Sequence, residues 1–470
     1  MGNPRRAVAR GEPVLKKQGP VTGLENSTMN LRQICAAAGI AAFMVAATAN
    51  ATVHRVFPGE SIQAAIDVAA PGDTILVEPG TYKFVPPAME AGKYYYGLRI
   101  KTDNLRLIGR VVPGRGEAGK VRLVYDAPVD PYNNVRAADV GAGVYAAPDV
   151  SLPGDPRSCD PDVSADSPLG QLCKANSLKD FYIRGFSVEG FPRNGIQTRW
   201  VEGFEFIRNE SVNNLNNGIY PTLSANGLVQ NNVSYGSLDT AMWVAGSENV
   251  RVIGNEVFGS VIGFEITVSN NVWVTQNRIY DNTVGIGLFH PNGAGNPPLP
   301  VMANWVVEHN DVRDNNRPNA AVPGTFQSAL PSGIGILLTG VSDHVIAKNT
   351  VEDNDFVGIA VLGWCTANSG TANDCSVKPP ITDPRANNNL VSQNKVSGNG
   401  ASPPEDAPFP AVDLLYVQFA LFEPGASGNC FEKNKPSGFT YFSSTELDFS
   451  NFPPPVPVPG PLPTDGCKKP

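Results

Sequence analysis

The residues best suited to act on a polar ligand recur in this chain at intervals of 22 or 23 positions. Arg199, Glu265 and His290 carry groups that can transfer a proton or neutralise a negative charge, and they are the candidate catalytic residues. The candidate substrate-binding residues are Gln197, Tyr220, Trp243 and Thr267. Aromatic rings offer contact area to the C–H faces of a sugar, while amides, hydroxyls and charged groups hydrogen-bond its hydroxyls. The set therefore points to a carbohydrate ligand, provided that the fold brings its members together.

An apolar column with the same period shows how they can meet. Ile196, Ile219, Met242, Phe264 and Ile286 follow one another at spacings of 23, 23, 22 and 22 residues, each directly after a Gly or Ala. Side chains alternate between the two faces of a strand, and adjacent strands lie about 4.8 Å apart. If this column faces the interior, the residues one and three positions further on form two outward columns that contain the candidates, with His290 beside the second column. Exposed strand positions also favour aromatic residues and Thr for purely structural reasons.

Asparagines mark a second column along the repeats. The marker residues are Asn209, Asn231, Asn255, Asn277, Asn310, Asn349 and Asn394, at spacings of 22, 24, 22, 33, 39 and 45. The first three spacings indicate a coil of about 23 residues, and the longer ones indicate the same coil with insertions. An Asn at the same corner of every coil can form a stacked hydrogen-bonded ladder. We therefore interpret the marker asparagines as structural.

The start of the repeat region carries a family resemblance. Residues 56–82 contain FPGESIQAAID and PGDTILVEPGTY. With the repeats, this region resembles the pectate-lyase-like superfamily over roughly residues 53–435. The resemblance implies an all-β fold, a single-stranded right-handed parallel β-helix with roughly 23 residues per coil. A short amphipathic helix over Ser61–Ala70, with Ile62, Ile66 and Ala69 on one face, is predicted to cap its open end.

The resemblance also implies alternative chemistries. Lyases and epimerases of acidic polysaccharides in this superfamily use a Lys or Arg base and a cation or Arg that neutralises the substrate carboxylate, because proton removal builds enolate-like charge. In that interpretation Arg199 neutralises or deprotonates the substrate and Glu265 or His290 acts as acid or base. Glycoside hydrolases on this fold need paired carboxylates instead. The chain lacks the R-x-P-x-x-R motif of pectate lyases, the Asn-Thr-Asp and Gly-His-Gly motifs of polygalacturonases and the Asp-Pro-His motif of alginate epimerases.

Insertions interrupt the repeat of about 23 residues, and three of them do so at the same corner of the coil. Residues 128–177, 291–303 and 365–387 are predicted to leave the coil between the Gly-Ile strand and the marker strand, whereas 316–331 leaves at a different corner. Three loops along one edge would form a wall beside the outward columns. Long structured loops are frequently functional, although a solenoid also tolerates insertions that have no function.

The N-terminus has the layout of an export signal. A basic region at 29–32, an apolar Ala-rich stretch at 34–48 and Ala49-Asn50-Ala51 as cleavage site assign residues 1–51 to a signal peptide with an N-terminal extension, Met29 being an alternative start. We expect a periplasmic or secreted monomer without a membrane span. The removed segment carries six basic and two acidic residues, so the net charge changes from −8 to −12. This charge disfavours nucleic acid as a partner.

The cysteines support export. Six of the seven cysteines follow the predicted signal peptide, and an even number in an exported chain favours disulfides. The candidates are Cys159, Cys173, Cys365, Cys375, Cys430 and Cys467, and pairing of sequence neighbours is preferred among the 15 arrangements. No metal site is assigned to them, because C-x-x-C spacing and neighbouring His are lacking. A β-helix at 52–435 and a Pro-rich tail at 436–470 complete the predicted domains.

Cofactor and function remain open alternatives at this level. Calcium is a candidate cofactor because acidic residues cluster at turns, namely Asp311, Asp314, Glu352, Asp353 and Asp355, although solvated acidic turns are ordinary. The preferred hypothesis is a carbohydrate-active protein, a lyase or epimerase of acidic glycans, with polysaccharide as its partner. The alternatives are a non-catalytic glycan-binding or surface scaffold and an envelope accessory factor that binds a protein. Six Met and four His are too few to favour metal delivery.

Overall fold

The computed structural model describes residues 51–88, 90, 93–129, 140–155, 157–294, 299–405, 407–437, 441–445 and 461–467. Residues 1–50 of the predicted signal segment and residues 438–440, 446–460 and 468–470 of the predicted tail lie outside the described residues. No helix in the described ranges is long and apolar enough to cross a membrane.

Three long parallel sheets form the molecule. Sheet A has 12 strands: Val53–Val56, Thr74–Val77, Arg106–Gly109, Leu178–Arg184, Val201–Ile207, Ala225–Gln230, Glu248–Ile253, Asn270–Thr275, Trp305–Glu308, Val345–Ala347, Leu390–Ser392 and Cys430–Glu432. Sheet B has 11 strands: Gly80–Phe84, Val121–Tyr125, Phe186–Glu189, Glu210–Val212, Val233–Tyr235, Glu256–Phe258, Arg278–Tyr280, Asp311–Arg313, Thr350–Glu352, Lys395–Ser397 and Lys435–Pro436. Sheet C has 11 strands: Tyr95–Ile100, Val140–Ala146, Asn194–Arg199, Ile219–Thr222, Thr240–Ala245, Ile262–Thr267, Val284–Phe289, Ile334–Thr339, Val357–Leu362, Val412–Val417 and Tyr441–Ser444.

Successive strands of the chain pass from sheet A to sheet B to sheet C and then start the next coil. Each strand pairs in parallel with its counterpart one coil away, as Ile196 does with Ile219 and Met242 with Phe264. The apolar column of the repeats is fully buried between the sheets. The prediction of a right-handed parallel β-helix is therefore confirmed.

The described helices are short and lie at the ends and corners of the solenoid. They are the α-helices α1 (Ile62–Val68), α2 (Pro168–Ala175), α3 (Pro291–Ala294) and α4 (Trp364–Asn368) and the 3₁₀ turns Gly116–Gly119 and Phe326–Ala329. Helix α1 is the predicted cap: the Ser61 hydroxyl accepts from the amide of Ala64 at 3.1 Å, and Ile62 and Ile66 are buried in the core. This end of the apolar column is thus shielded from water.

Asparagine side chains form a continuous ladder at the corner between sheets A and B. Its members are Asn209, Asn232, Asn255, Asn277, Asn310, Asn349, Asn394 and Asn434, and from Asn232 onward each carboxamide oxygen accepts from the side chain one coil before it at 2.9–3.1 Å. The second member is Asn232, not the marker Asn231, which adopts a left-handed φ of 55°. The ladder satisfies buried backbone groups at every corner, as the structural interpretation predicts.

Insertions leave the coil at both edges of sheet C. Segments 147–177, 290–304 and 363–389 connect sheet C to sheet A, and segments 314–333 and 398–411 connect sheet B to sheet C. The predicted insertion 128–177 is divided, because residues 140–146 within it form a strand of sheet C. The four strands from Asn194 to Thr267 have only short connections. Their outward face, here called the central groove, lies between two loop-covered stretches, and Tyr220 and Trp243 are its half-buried residues.

Three disulfides brace the insertions and the tail. Cys159 pairs with Cys173, Cys365 with Cys375 and Cys430 with Cys467, which is the predicted neighbour pairing. The last disulfide holds residues 461–467 along the final strand of sheet A, where the amide of Phe431 donates to the carbonyl of Pro463 at 2.9 Å. The strand Tyr441–Ser444 adds one more strand to sheet C within the segment assigned to the tail.

Candidate functional site

The outward columns have the register that the repeats indicate. Gln197 pairs with Tyr220, and Trp243 pairs with Glu265. In the second column Thr267 lies one coil beyond Ala245. The candidates therefore lie on one face of sheet C, but the loops at its two ends cover several of them.

Tyr220 and Trp243 form a parallel stack in the centre of the groove. Their ring centroids are 4.6 Å apart with an interplanar angle of 12°, and both side chains are half-buried. The Trp243 indole N–H donates to the Thr267 hydroxyl at 2.9 Å, which fixes the orientation of the ring. Because the two rings cover each other's inner faces, a ligand meets ring edges and the two outer faces. The stack is therefore a ridge rather than a flat platform.

Arg199 lies beneath the loop 147–177. Its guanidinium donates to the carbonyls of Pro161 and Val163, and it packs over the ring of Trp200 at 4.4 Å. The Tyr145 hydroxyl donates to the carbonyl of Cys159 in the same loop at 2.6 Å. The structure thus places Arg199 where it holds a loop, which we call the N-terminal wall, with two of its nitrogens already engaged.

His290 lies inside the loops at the opposite end of the groove. Its Nδ1 accepts from the amide of Asn292 at 3.2 Å, so Nε2 carries the hydrogen and donates to the Thr382 hydroxyl at 2.7 Å. Burial lowers the pKa of His290 to about 4, which leaves the ring neutral at pH 7. His290 therefore joins the segments 290–304 and 363–389; together with 314–333 these segments form the C-terminal wall.

Glu265 is the candidate whose surroundings are chemically unusual. Its carboxyl is 4% exposed, at the junction of the groove and the C-terminal wall. The Thr240 hydroxyl oxygen lies 2.6 Å from Glu265 Oε2 and 3.3 Å from Asp239 Oδ1. Burial, with the charge of Asp239 as a second cause, holds the pKa of Glu265 well above its usual range. Asp239 is half-buried and thus the more accessible of the two carboxyls.

The Thr240 hydroxyl can bridge the two carboxyls when the pair carries one proton. The Thr240 hydroxyl has a single hydrogen and can donate to one carboxylate only. Both contacts are satisfied if protonated Glu265 donates to Thr240 and Thr240 donates to Asp239. Two carboxyls that share a site cannot both ionise easily, so one can serve as the acid and the other as the base.

Amide side chains lie on the coils before the carboxyl pair. The Asn194 amide donates to the side-chain oxygen of Gln197 at 2.8 Å, and both residues are buried. Asn217 follows Asn194 by 23 residues and Thr240 follows Asn217 by 23. The carboxamide oxygen of Asn217 is buried without a hydrogen-bond partner. A buried acceptor of this kind is uncommon and costs stability, as is typical of functional sites.

Asp239, Thr240 and Asn217 are the residues that the sequence interpretation missed. The predicted columns were counted forward from the inward residue, at one and three positions beyond it. Strict alternation assigns the position two before the inward residue, which holds Asn194, Asn217 and Thr240, to the interior. The contacts of Asn194 with Gln197 and of Thr240 with Glu265 place this position beside the outward columns instead, so the alternation does not extend to the start of these strands and could not have found it.

The acidic residues proposed for calcium lie at or beside the strands of sheet B. Asp311 pairs with Arg313 at 3.2 Å, and Glu352 pairs with Lys395 at 2.5 Å. The hydrogen bonds of Lys395 and Ser397 lower the pKa of Glu352. These contacts already compensate two of the five carboxylates with side chains of the protein itself.

A buried carboxyl on the segment 418–429 holds the C-terminal wall through residues 365 and 366 and makes the stability of the fold depend on pH. Glu423 accepts from the amide of Cys365 at 2.6 Å and from the Thr366 hydroxyl at 2.7 Å, and burial raises its pKa to about 6. Because Glu423 holds its proton more tightly in the folded protein, its raised pKa contributes fully to the free energy of unfolding at a pH below the ordinary pKa of a Glu. This contribution disappears as the pH rises through about 6. Relative to wild type, Glu423→Gln should therefore gain up to about 2 kcal/mol of unfolding free energy between pH 4.5 and 7.5. Urea unfolding at the two pH values measures this.

The control for this prediction is Glu248→Gln, which removes one acidic group from an exposed position. An identical difference between Glu423→Gln and wild type at both pH values would contradict the assignment of the raised pKa to Glu423.

Known proteins share the fold of this chain. A family model described as "Right handed beta helix region" matches residues 194–377. The mannuronan C-5 epimerase AlgE4 A-module of Azotobacter vinelandii has a TM-score of 0.50 at 14% identity, covering 82% of this chain and 95% of that one. The AlgE6 A-module of the same organism has a TM-score of 0.48 at 15% identity, with 82% and 94% covered. DFA-IIIase from Arthrobacter chlorophenolicus A6 in complex with GF2 has a TM-score of 0.46 at 14% identity, with 81% and 84% covered.

The search of curated proteins found no significant match. At 14% identity the likeness to the AlgE4 A-module shows a common β-helix fold and nothing finer.

Proposed function

We propose that this right-handed parallel β-helix protein is a carbohydrate-active enzyme that cleaves a glycosidic bond in its central groove. The observation that carries the proposal is the carboxyl pair of Glu265 and Asp239, bridged by Thr240 beside the stack of Tyr220 and Trp243. Glycoside hydrolysis requires a protonated carboxyl as general acid next to an ionised carboxylate. The AlgE4 A-module, which shares the β-helix fold, is named a mannuronan C-5 epimerase, and this name agrees with a carbohydrate substrate.

Each carboxyl has a distinct role in this proposal. Glu265 donates its proton to the leaving oxygen as the bond to the anomeric carbon breaks. Asp239 stabilises the positive charge on that carbon and attacks it, because two carboxyls that share one hydroxyl lie closer than the about 6.5–9.5 Å of inverting enzymes. Water then releases the sugar, giving its proton to Glu265. Tyr220 and Trp243, the half-buried residues of the groove, contact the bound glycan, and Gln197 and Asn217 lie buried on the coils before the carboxyl pair.

Lyase or epimerase chemistry on an acidic glycan is the second reaction class. It needs a cationic group for the substrate carboxylate. Among the described residues of the four groove strands, Arg199 is the one basic side chain, and it donates to two loop carbonyls. The acidic net charge of −8 adds a further cost to binding a polyanion. A neutral glycan therefore suits the groove better.

The product distinguishes these reactions. The chain should be incubated with a panel of neutral and acidic polysaccharides and the products analysed by mass spectrometry. Fragments that gain the elements of water would establish hydrolysis, and fragments with an unsaturated uronate end would establish a lyase. Binding without any product would support a glycan-binding scaffold. If no glycan is bound or changed, the carbohydrate proposal fails and a protein partner becomes the better explanation.

The aromatic stack allows a test of binding alone. Trp243→Ala is expected to weaken glycan binding about tenfold or more, a loss of about 1.4 kcal/mol per factor of ten, because it removes the ridge and frees Thr267. Calorimetric titration of wild type and variant measures the change. Phe258→Ala is the matched control, since Phe258 stacks between Tyr235 and Tyr280 on sheet B at 4.7 and 5.2 Å, away from the groove. If both variants lost the same glycan affinity, the central groove would not be the binding site.

Export to the periplasm or medium is part of the proposed function. Three disulfides are favoured in an oxidising compartment, and a polysaccharide substrate is accessible there. The predicted signal segment supports the same location.

A further inference from the structure

A cavity of about 580 Å³ lies on the outward face of sheet C beyond the central groove. Its floor is formed by the strands Ile334–Thr339, Val357–Leu362 and Val412–Val417, and its sides by the C-terminal wall and the segment 398–411. Leu337, Ala360 and Leu415 continue the column that contains Tyr220 and Trp243, so the same face changes from polar to apolar along the solenoid. The size is that of a small-molecule site.

The lining is uncharged. Phe326, Phe356 and Phe409 surround the floor residues, and no Asp, Glu, Lys, Arg or His is found among the described residues that line the cavity. An ion that entered would lose its hydration without compensation. The ligand must therefore be uncharged, and the apolar floor favours an apolar part of it.

One polar group that lines the cavity, the Thr339 hydroxyl, lacks a hydrogen-bond partner among the described residues. The Thr339 side chain lines the cavity, is 4% exposed, and its hydroxyl oxygen has no hydrogen-bond partner. Its strand neighbours in the outward column are Phe289 and Leu362, which offer none. Buried hydroxyls are normally satisfied, so an oxygen of the ligand is the natural partner.

The walls of the cavity are held in place without a ligand. Asn319 donates to the carbonyls of Gln327 and Leu330 at 2.9 and 2.8 Å, which closes the loop that carries Phe326. Helix α4 is tied to Glu423 and continues into the loop with the Cys365–Cys375 disulfide. A cavity that is formed in advance loses little free energy to ordering when a ligand binds.

We propose that this cavity binds an uncharged acyl or alkyl chain whose head oxygen hydrogen-bonds Thr339. The chain is either a free amphiphile or a substituent carried by the glycan. The second source rests on the proposed function, because Leu337 lies two coils beyond Glu265, about 10 Å along the face.

Fluorescence of the neutral probe N-phenyl-1-naphthylamine tests the proposal on the full chain. One probe molecule is expected to bind per protein, and decanol to displace it. Ala360→Phe fills the cavity and should abolish binding, and Thr339→Val should weaken decanol binding about fivefold or more because it removes the hydroxyl. Thr350→Val on sheet B is the matched control and should bind like wild type.

The competitors distinguish the sources. Displacement by both decanol and octyl glucoside supports a free chain, and displacement by octyl glucoside alone supports a glycan substituent. Absence of probe binding, equal binding by Ala360→Phe, or failure of both competitors would overturn the proposal. Glu265→Gln should bind the probe normally, so loss of glycan cleavage with intact probe binding separates this site from the groove.

Discussion

Glu265→Gln is expected to lower the rate of glycosidic cleavage about 10²–10⁴-fold, the usual contribution of a positioned acid. The amide keeps the volume of the side chain and its contact with Thr240, but it has no proton to donate. Because burial and Asp239 raise the pKa of Glu265, wild-type activity should fall as the pH rises through that pKa. The measurement is kcat across pH on the substrate found in the glycan panel.

The matched control is Glu256→Gln on sheet B, where the carboxylate accepts from the Tyr280 hydroxyl at 2.8 Å, outside the groove. It should retain full activity. Thr240→Val should move the alkaline limb of the pH profile, because it removes the hydroxyl that bridges Glu265 and Asp239. Full activity of the Glu265→Gln variant would contradict the assignment of Glu265 as the general acid.

The largest effect on stability is expected from Asn310→Ala, at about 3–5 kcal/mol of unfolding free energy. The Asn310 amide donates to the carbonyl of Val274 at 3.0 Å and to the oxygen of Asn349 at 3.0 Å. Its oxygen accepts from both the backbone and the side chain of Asn277, at 3.0 and 2.9 Å. Alanine leaves these groups buried and unsatisfied in the middle of the solenoid. Urea unfolding of variant and wild type measures the difference.

A second, exposed asparagine stack provides the control. Asn249 donates to Asn226 at 3.2 Å and accepts from Asn271 at 3.1 Å, in contact with water. Asn249→Gly tolerates the left-handed φ of 56° at this position and should cost only about 0.5 kcal/mol. If both variants lost the same stability, burial would not be the reason why the ladder stabilises the fold.

The solenoid and its register could be predicted because they follow from strictly local periodicity. The spacing of Ile196, Ile219 and Met242 gives both the coil length and the direction of each side chain. The disulfides followed from their even number and from the loops that they flank. Asn231 and Asn232 show the limit of the method, because adjacent asparagines leave the register uncertain by one residue.

The environment of the site residues could not be predicted from the same pattern. Arg199 and His290 were assigned to an outward face, but whether loops cover that face depends on contacts between residues far apart in sequence. Arg199 meets the carbonyls of Pro161 and Val163, 38 and 36 residues away, and His290 meets Thr382, 92 residues away. The raised pKa of Glu265 is likewise a consequence of burial, which periodicity does not report.

The constant geometry of the asparagine ladder has a consequence for how such a molecule can change. Neighbouring members join with the same spacing whether 22 or 45 residues separate them, at 2.9 Å from Asn255 to Asn277 and 3.0 Å from Asn349 to Asn394. Whole loops can therefore be grafted, shortened or exchanged at a corner without shifting the strands that hold Glu265 and Trp243. The solenoid is a fixed scaffold with exchangeable loops. New specificities can therefore arise by recombination of loops at its corners, without changes to its core.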